Sequence, residues 1–160
     1  MTDARIFADL KADHARQRAL LAYIGDTRGA GEERQALFEE LRLEIAAHAA
    51  AEEESLYAAM LADPELRDDA RHSVSEHKEV DDLFGELAGL EFGGTAWERV
   101  FGELRHRYTH HIDEEEEEMF PAAAKGLSTA ETARLATVFE RRKPRELVRA
   151  EEAEPGDDRE

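Results

Sequence analysis

The chain has 160 residues, 41% hydrophobic and 38% charged, a balance that suits one folded domain with a core of its own. It contains no cysteine, which excludes disulfides, thiolate zinc sites, iron–sulfur clusters and thiol catalysis. A formal net charge of -18 sets it against nucleic-acid phosphates and anionic membranes as partners, and suits the attraction of cations.

The N-terminal stretch Met1 to Leu10 interrupts its apolar residues with Asp3, Arg5 and Asp9, so no signal-like apolar run forms, and nothing later approaches a membrane span. The expectation is a cytoplasmic protein. A first helix is predicted from about Asp3 to Asp26, with Leu10, His14, Leu21 and Ile24 recurring at helical spacing. The glycine-rich loop 25–31 stops it. A second helix, from about Glu32 to Leu61, carries Leu37, Leu41, Ile45, His48, Glu52 and Leu56 on one stripe. Pro64 suits the first turn of a third helix reaching about Leu90, with Val74, His77, Val80, Phe84 and Leu87. Gly93-Gly94-Thr95 separates it from a fourth, whose stripe is Trp97, Val100, Phe101, Leu104, Tyr108, His111, Glu115 and Met119. Ser128 and Glu131 form a capping box for a fifth helix, reaching about Lys143 or a little beyond Pro144. No strand signal competes. The fold expected is all-α: an antiparallel up-down-up-down four-helix bundle over residues 1–126, with a short C-terminal fifth helix over 127–149 packing on or extending the bundle. Residues 150–160, charged and nearly free of apolar side chains, are expected to be a disordered acidic tail.

One common shift of 63 residues places His14 on His77, His48 on His111 and Glu52 on Glu115. Neighbours agree in character: Asp13 with Glu76, Leu41 with Leu104, Leu56-Tyr57 with Met119-Phe120. A helical hairpin thus occurs twice, and two hairpins make a bundle with pseudo-two-fold symmetry. Both histidines of each hairpin fall at mid-bundle depth, since each helical residue rises about 1.5 Å. His and Glu four apart share one helix face. A lone histidine on an apolar stripe is ordinarily a hydrogen-bonded core residue. Four of them in duplicated register, with two buried carboxylates that are costly without a partner, point to a metal site. The predicted ligands are His14, His48, Glu52, His77, His111 and Glu115. Imidazole and carboxylate without thiolate suit iron, manganese or zinc, and one carboxylate from each half can bridge two ions. Within the run Glu114 to Glu118, the 63-residue shift selects Glu115; the competing pair His110 and Glu114 matches only Ala47 and Ala51.

In these residues the chain resembles the hemerythrin-like, or HHE cation-binding, family. The matching pieces are Asp13-His14, the stretch from His48 to Tyr57 with Glu52 at its fifth position, Glu76-His77, and the stretch from His111 to Pro121 with Glu115. The resemblance implies an oxo- or hydroxo-bridged di-iron centre, with the four histidines as terminal ligands and Glu52 and Glu115 as bridges. Ser73 stands where oxygen-carrying hemerythrins have a further histidine, and His72 is rotated about 100° from that place. The expectation is therefore open metal positions reacting with H2O2, O2 or NO, in catalase-like or scavenging chemistry, rather than simple oxygen carriage. An oxygen or iron sensor is the alternative, with iron buffering behind it. Tyr108, one turn before His111, is placed near the site; His72, His106 and His110 are read as surface or supporting groups.

Overall fold

The computed structural model describes residues 3–153. Among them there are five helical rods and no strand. Helix α1 is Arg5–Asp26. Helix α2 runs as Glu32–Glu52, passes through a π-helical segment at Glu53–Tyr57, and finishes as Ala58–Ala62. Helix α3 is Arg67–Ala88. Helix α4 repeats the pattern of α2: Thr95–Glu114, a π segment at Glu115–Met119, then Phe120–Gly126. Helix α5 is Thr129–Glu152. The pairs α1–α2 and α3–α4 pack as hairpins, contacts of α4 on α1 and of α2 on α3 close the bundle, and α5 lies on α1 and α2. No helix of the described residues is long and apolar enough to cross a membrane.

Boundaries differ from the sequence expectation where side chains override propensity. Helix α3 starts at Arg67, past Pro64. Asp63 accepts from the Glu65 N–H through its carboxylate, and from Leu66 and Arg67 through its carbonyl, so Pro64 sits in a turn. The Ser128–Glu131 capping box forms, each side chain bonding the other's backbone N–H. Pro144 removes one backbone donor from α5 without ending it. Phe139 before the proline and Ala150 after it are both buried against the bundle, and that packing carries the helix to Glu152. Residues 150–152 of the expected acidic tail are thus helical, and from residue 154 that expectation lies outside the described residues.

The core is split into two apolar layers. Ile6, Phe7, Leu10, Leu56, Met60, Phe120 and Phe139 fill one. Leu21, Ile24, Leu41, Leu83, Trp97, Phe101 and Leu104 fill the other, toward the α1–α2 and α3–α4 loops. Those loops touch: a Cβ on Gly93, at φ 76, would stand 2.8 Å from the carbonyl oxygen of Gly29. Arg34 ties them together. It is 4% exposed, donates to the carbonyls of Ile24 and Gly29 at 2.9 Å each, pairs with Glu98 on α4, and lies over the Trp97 ring at 5.1 Å. Replacing Arg34 by Ala should cost about 2 kcal/mol in urea unfolding, because buried carbonyls and Glu98 lose their donor. An unchanged midpoint would contradict that role.

Candidate metal centre

Between the two apolar layers lies a layer of ionisable groups. His14 comes from α1, His48 and Glu52 from α2, His77 from α3, and His111 and Glu115 from α4. All six are buried, from fully enclosed His14, His48 and Glu52 to His77 at 8% exposure. The structure brings together every residue chosen as a ligand from the sequence. Each carboxylate stands at or beside the start of a π segment. There the widened turn lets Ser55, Leu56 and Tyr57 all face inward consecutively, and the Ser55 hydroxyl donates to the Ala51 carbonyl at 2.7 Å.

Every one of the four histidines has its Nδ1 held by a carboxylate. Asp13 meets His48 at 2.8 Å, Glu53 meets His77 at 2.9 Å, Glu76 meets His111 at 2.9 Å and Glu116 meets His14 at 2.7 Å. These contacts join α1 to α2, α2 to α3, α3 to α4 and α4 to α1, a closed ring around the bundle. The ring obeys the 63-residue repeat: Asp13 maps to Glu76 and Glu53 to Glu116. A carboxylate accepting the Nδ1 proton fixes the tautomer that turns a bare Nε2 lone pair inward.

Those inward atoms have no ordinary partners. His14 Nε2, His48 Nε2, both oxygens of Glu52 and Oε1 of Glu115 are buried without a hydrogen bond. The Nε2 atoms of His77 and His111 lie 3.1 Å apart, and His111 Nε2 is 2.9 Å from Glu115 Oε1. With every Nδ1 proton already given outward, these are lone pairs facing one another, and only a proton or a cation between them makes the arrangement favourable. Two four-residue groups can each hold an ion, their donor atoms all within 4.8 Å: His14, His48, Glu52 and Glu115, and Glu52, His77, His111 and Glu115. The two groups share both carboxylates. Glu52 Oε1 stands 3.6 Å from His48 Nε2 and 3.4 Å from His77 Nε2, between the hairpins.

The surroundings break the symmetry. The Tyr57 hydroxyl donates to Glu115 Oε2 at 2.8 Å, whereas its counterpart Phe120 stacks on His14 at 5.9 Å and offers no donor to Glu52. Burial, Glu115 and Glu52 all raise the Tyr57 pKa, so it remains a donor. Tyr108 lies against His111, ring centres 6.0 Å apart, but its hydroxyl donates to Gln17, which in turn donates to Glu44. A further cluster of Asp13, Glu44 and His48 already holds a cation, the Lys143 ammonium at 2.7 Å from both carboxylates. His72, His106 and His110 are exposed.

The charges and burial within the layer shift its titrations in opposite directions. Burial alone would lower the pKa of His48, but Asp13 and Glu52 carry it up to about 10. His111 rises to about 10 against the same burial, through Glu115 and Glu76. Burial, then the Glu52 charge, pushes Glu115 up to about 7. His14 goes the other way, to about 4, by burial and the nearby His48.

The family model of the hemerythrin HHE cation binding domain matches residues 5–123. The chain belongs to that family. A similar solved structure is an HHE cation-binding domain-containing protein from Mycobacterium kansasii, described as an Rv2633c homolog. It aligns with a TM-score of 0.77 at 27% identity over 93% of this chain and 90% of that one. No curated protein matches the chain. Membership in the HHE family makes this a cation-binding domain, and the buried His/Glu groups are the ones able to hold metal.

Sequence reasoning passed over Glu53, Glu116, Tyr57 and Gln17 as site residues. For the first two the signal was present, since the 63-residue shift superimposes them as it does the ligands. Replacing Glu53 or Glu116 by Ala should weaken cation affinity about 10–100-fold without altering stoichiometry. A competition titration with a chelator checks this, and unchanged affinity in both would contradict the orienting role. Because bound ions need neutral imidazoles, loading at pH 7 should also displace protons from His48, His111 and Glu115. Affinity should then fall as pH drops from 8 to 6, with at least about one proton released per cation in weakly buffered indicator solution.

Proposed function

We propose that this HHE domain holds two iron ions between its hairpins and reacts there with H2O2, O2 or NO. One ion lies among His14, His48, Glu52 and Glu115, the other among His77, His111, Glu52 and Glu115. The observation carrying this reading is a pair of buried four-residue donor groups that share both glutamates, with His14 Nε2, His48 Nε2, both Glu52 oxygens and Glu115 Oε1 lacking any hydrogen bond. Nitrogen and oxygen donors without sulfur suit iron, manganese or zinc, and the family resemblance favours iron among them. Each ion receives two imidazoles and shared carboxylates, fewer donors than an octahedral ion accepts, so positions remain for a small molecule. Bound iron would supply electron exchange with that oxidant or gas.

The chain's own residues set the conditions of the reaction. Apolar layers on both sides exclude bulk water, which strengthens every electrostatic contact inside. Asp13, Glu53, Glu76 and Glu116 hold the imidazole planes. The Tyr57 hydroxyl donates a hydrogen bond to Glu115 Oε2, on one side of the centre only.

A second reading, occupancy sensing, is favoured by α5. Its Phe139 meets the His48 ring edge-on at 5.9 Å, and its Lys143 bonds Asp13, which orients His48. In that case metal removal should change hydrogen-exchange protection along α5 more than along the α3 end remote from it.

Protein purified aerobically without a chelating column should contain about two irons per chain by mass spectrometry, with near-ultraviolet and visible charge-transfer absorption. Both should be lost in His48→Ala or His111→Ala. Manganese in place of iron would revise the metal. Iron-loaded protein that neither consumes peroxide nor changes its spectrum with O2 or NO would overturn the reactive reading.

A further inference from the structure

The two halves of the bundle differ in how the metal layer meets the surface. In the first half, Ile6, Leu10, Ala51 and Leu56 are wholly buried, and α5 covers their face, with Lys143 lying across Asp13. The 63-residue repeat replaces these four with Asp69, Ser73, Glu114 and Met119, and among the described residues no helix packs over them as α5 packs over the first hairpin. The result is a cavity of about 70 Å³ between α3 and α4, reaching from Asp69, His72 and Glu118 at the surface to His111 and Glu115 within. That volume admits several water molecules in file. Its inner end is Glu115, 1% exposed, whose Oε1 has no hydrogen-bond partner.

At the mouth, His72 Nε2 lies 3.5 Å from Glu76 Oε1 and 3.7 Å from Glu114 Oε1. Donor atoms of these three residues fall within 4.8 Å of one another, and no lysine or arginine lines the cavity. Glu76 serves both ends, since the same Oε1 takes the Nδ1 proton of His111.

We propose that this α3–α4 cavity is the route by which cations reach the buried centre, and that His72, Glu76 and Glu114 form a weak, solvent-accessible capture site at its mouth for a divalent cation. The inference rests on the metal-centre reading. An acidic cleft raises the local concentration of a divalent cation and its rate of capture. One imidazole and two carboxylates bind such an ion loosely enough to release it inward, where two imidazoles and two buried carboxylates hold it. On the α1–α2 side, the cavity beneath α5 is lined by Asp13, Glu44, Phe139 and Lys143 and includes none of the six candidate ligands, unlike the α3–α4 cavity.

The test is the rate and the extent of Co(II) uptake by metal-free protein, followed by stopped-flow absorbance and by equilibrium titration. In His72→Ala/Glu114→Gln the uptake rate should fall at least about fivefold, while the final stoichiometry stays that of the wild type. The control His106→Ala/Glu103→Gln removes similar groups from exposed positions outside the cavity. It should load as the wild type does. Asp69→Lys, which places a fixed cation at the mouth, should slow loading further and steepen its dependence on salt. All four substituted positions in the two double variants are largely solvent-facing or half-buried, and thermal melts of the metal-free proteins confirm that they fold. Equal slowing in the control would reduce the effect to overall charge and overturn the route. An unchanged rate in both cavity variants would overturn it outright. A reduced final stoichiometry would make His72 or Glu114 a structural ligand instead of a capture group. A wild type that takes up no Co(II) would overturn the metal-centre reading itself, and the route with it.

Discussion

Two carboxylates and four imidazoles occupy a buried layer in the middle of this bundle, and the free-energy cost of keeping them there constrains everything around them. A buried charge without a partner costs several kcal/mol even after relaxation. The outward side of the layer is settled by the chain, because each Nδ1 meets a carboxylate near the surface. The inward side is not: the Nε2 atoms of His14 and His48 and both Glu52 oxygens have no hydrogen-bond partner, while the Nε2 atoms of His77 and His111 face each other. Protons at His48, His111 and Glu115 partly relieve this without metal, and divalent or trivalent ions relieve it more completely. The rest of the fold is arranged to hold that layer. Apolar side chains clamp it from both ends, the π segments seat each glutamate, and contacting loops and Arg34 fix the hairpins relative to each other.

Duplication gives the site its symmetry and later divergence gives it direction. The ligands and the carboxylates that orient them repeat in both halves, so two matched groups able to hold a cation face each other across the bundle. The departures are Tyr57 against Phe120, which gives Glu115 a donor that Glu52 lacks, and α5, which covers one hairpin only. The two shared carboxylates are therefore unlike, even though the histidines that flank them are matched between the halves.

Much of this was legible in the sequence because helical periodicity and an internal repeat are strong signals. The four stripes placed the bundle, and the 63-residue shift picked Glu115 out of a run of five glutamates that composition alone reads as solvent-facing. The orienting glutamates Glu53 and Glu116 were hidden by that same preference, since each is flanked by other acids and its value lies in a contact to the opposite hairpin. Tyr108 stands out through its spacing to His111, while Tyr57 is the tyrosine that donates to a carboxylate of the buried layer. The reason is the π segment, which rotates the residues after Glu52 away from ideal helical phase and cannot be read from periodicity. Helix α5 passed through Pro144 because packing on α1 and α2 outweighed one lost backbone bond, a balance set by tertiary contacts.

The central claim is that two ions sit between the hairpins and share both glutamates. Anomalous diffraction at the iron edge from crystals of the iron-loaded protein tests it most directly. The account predicts two peaks, one flanked by the Nε2 atoms of His14 and His48 and the other by those of His77 and His111, each also facing Glu52 and Glu115. A single peak, or peaks outside this layer, would contradict it.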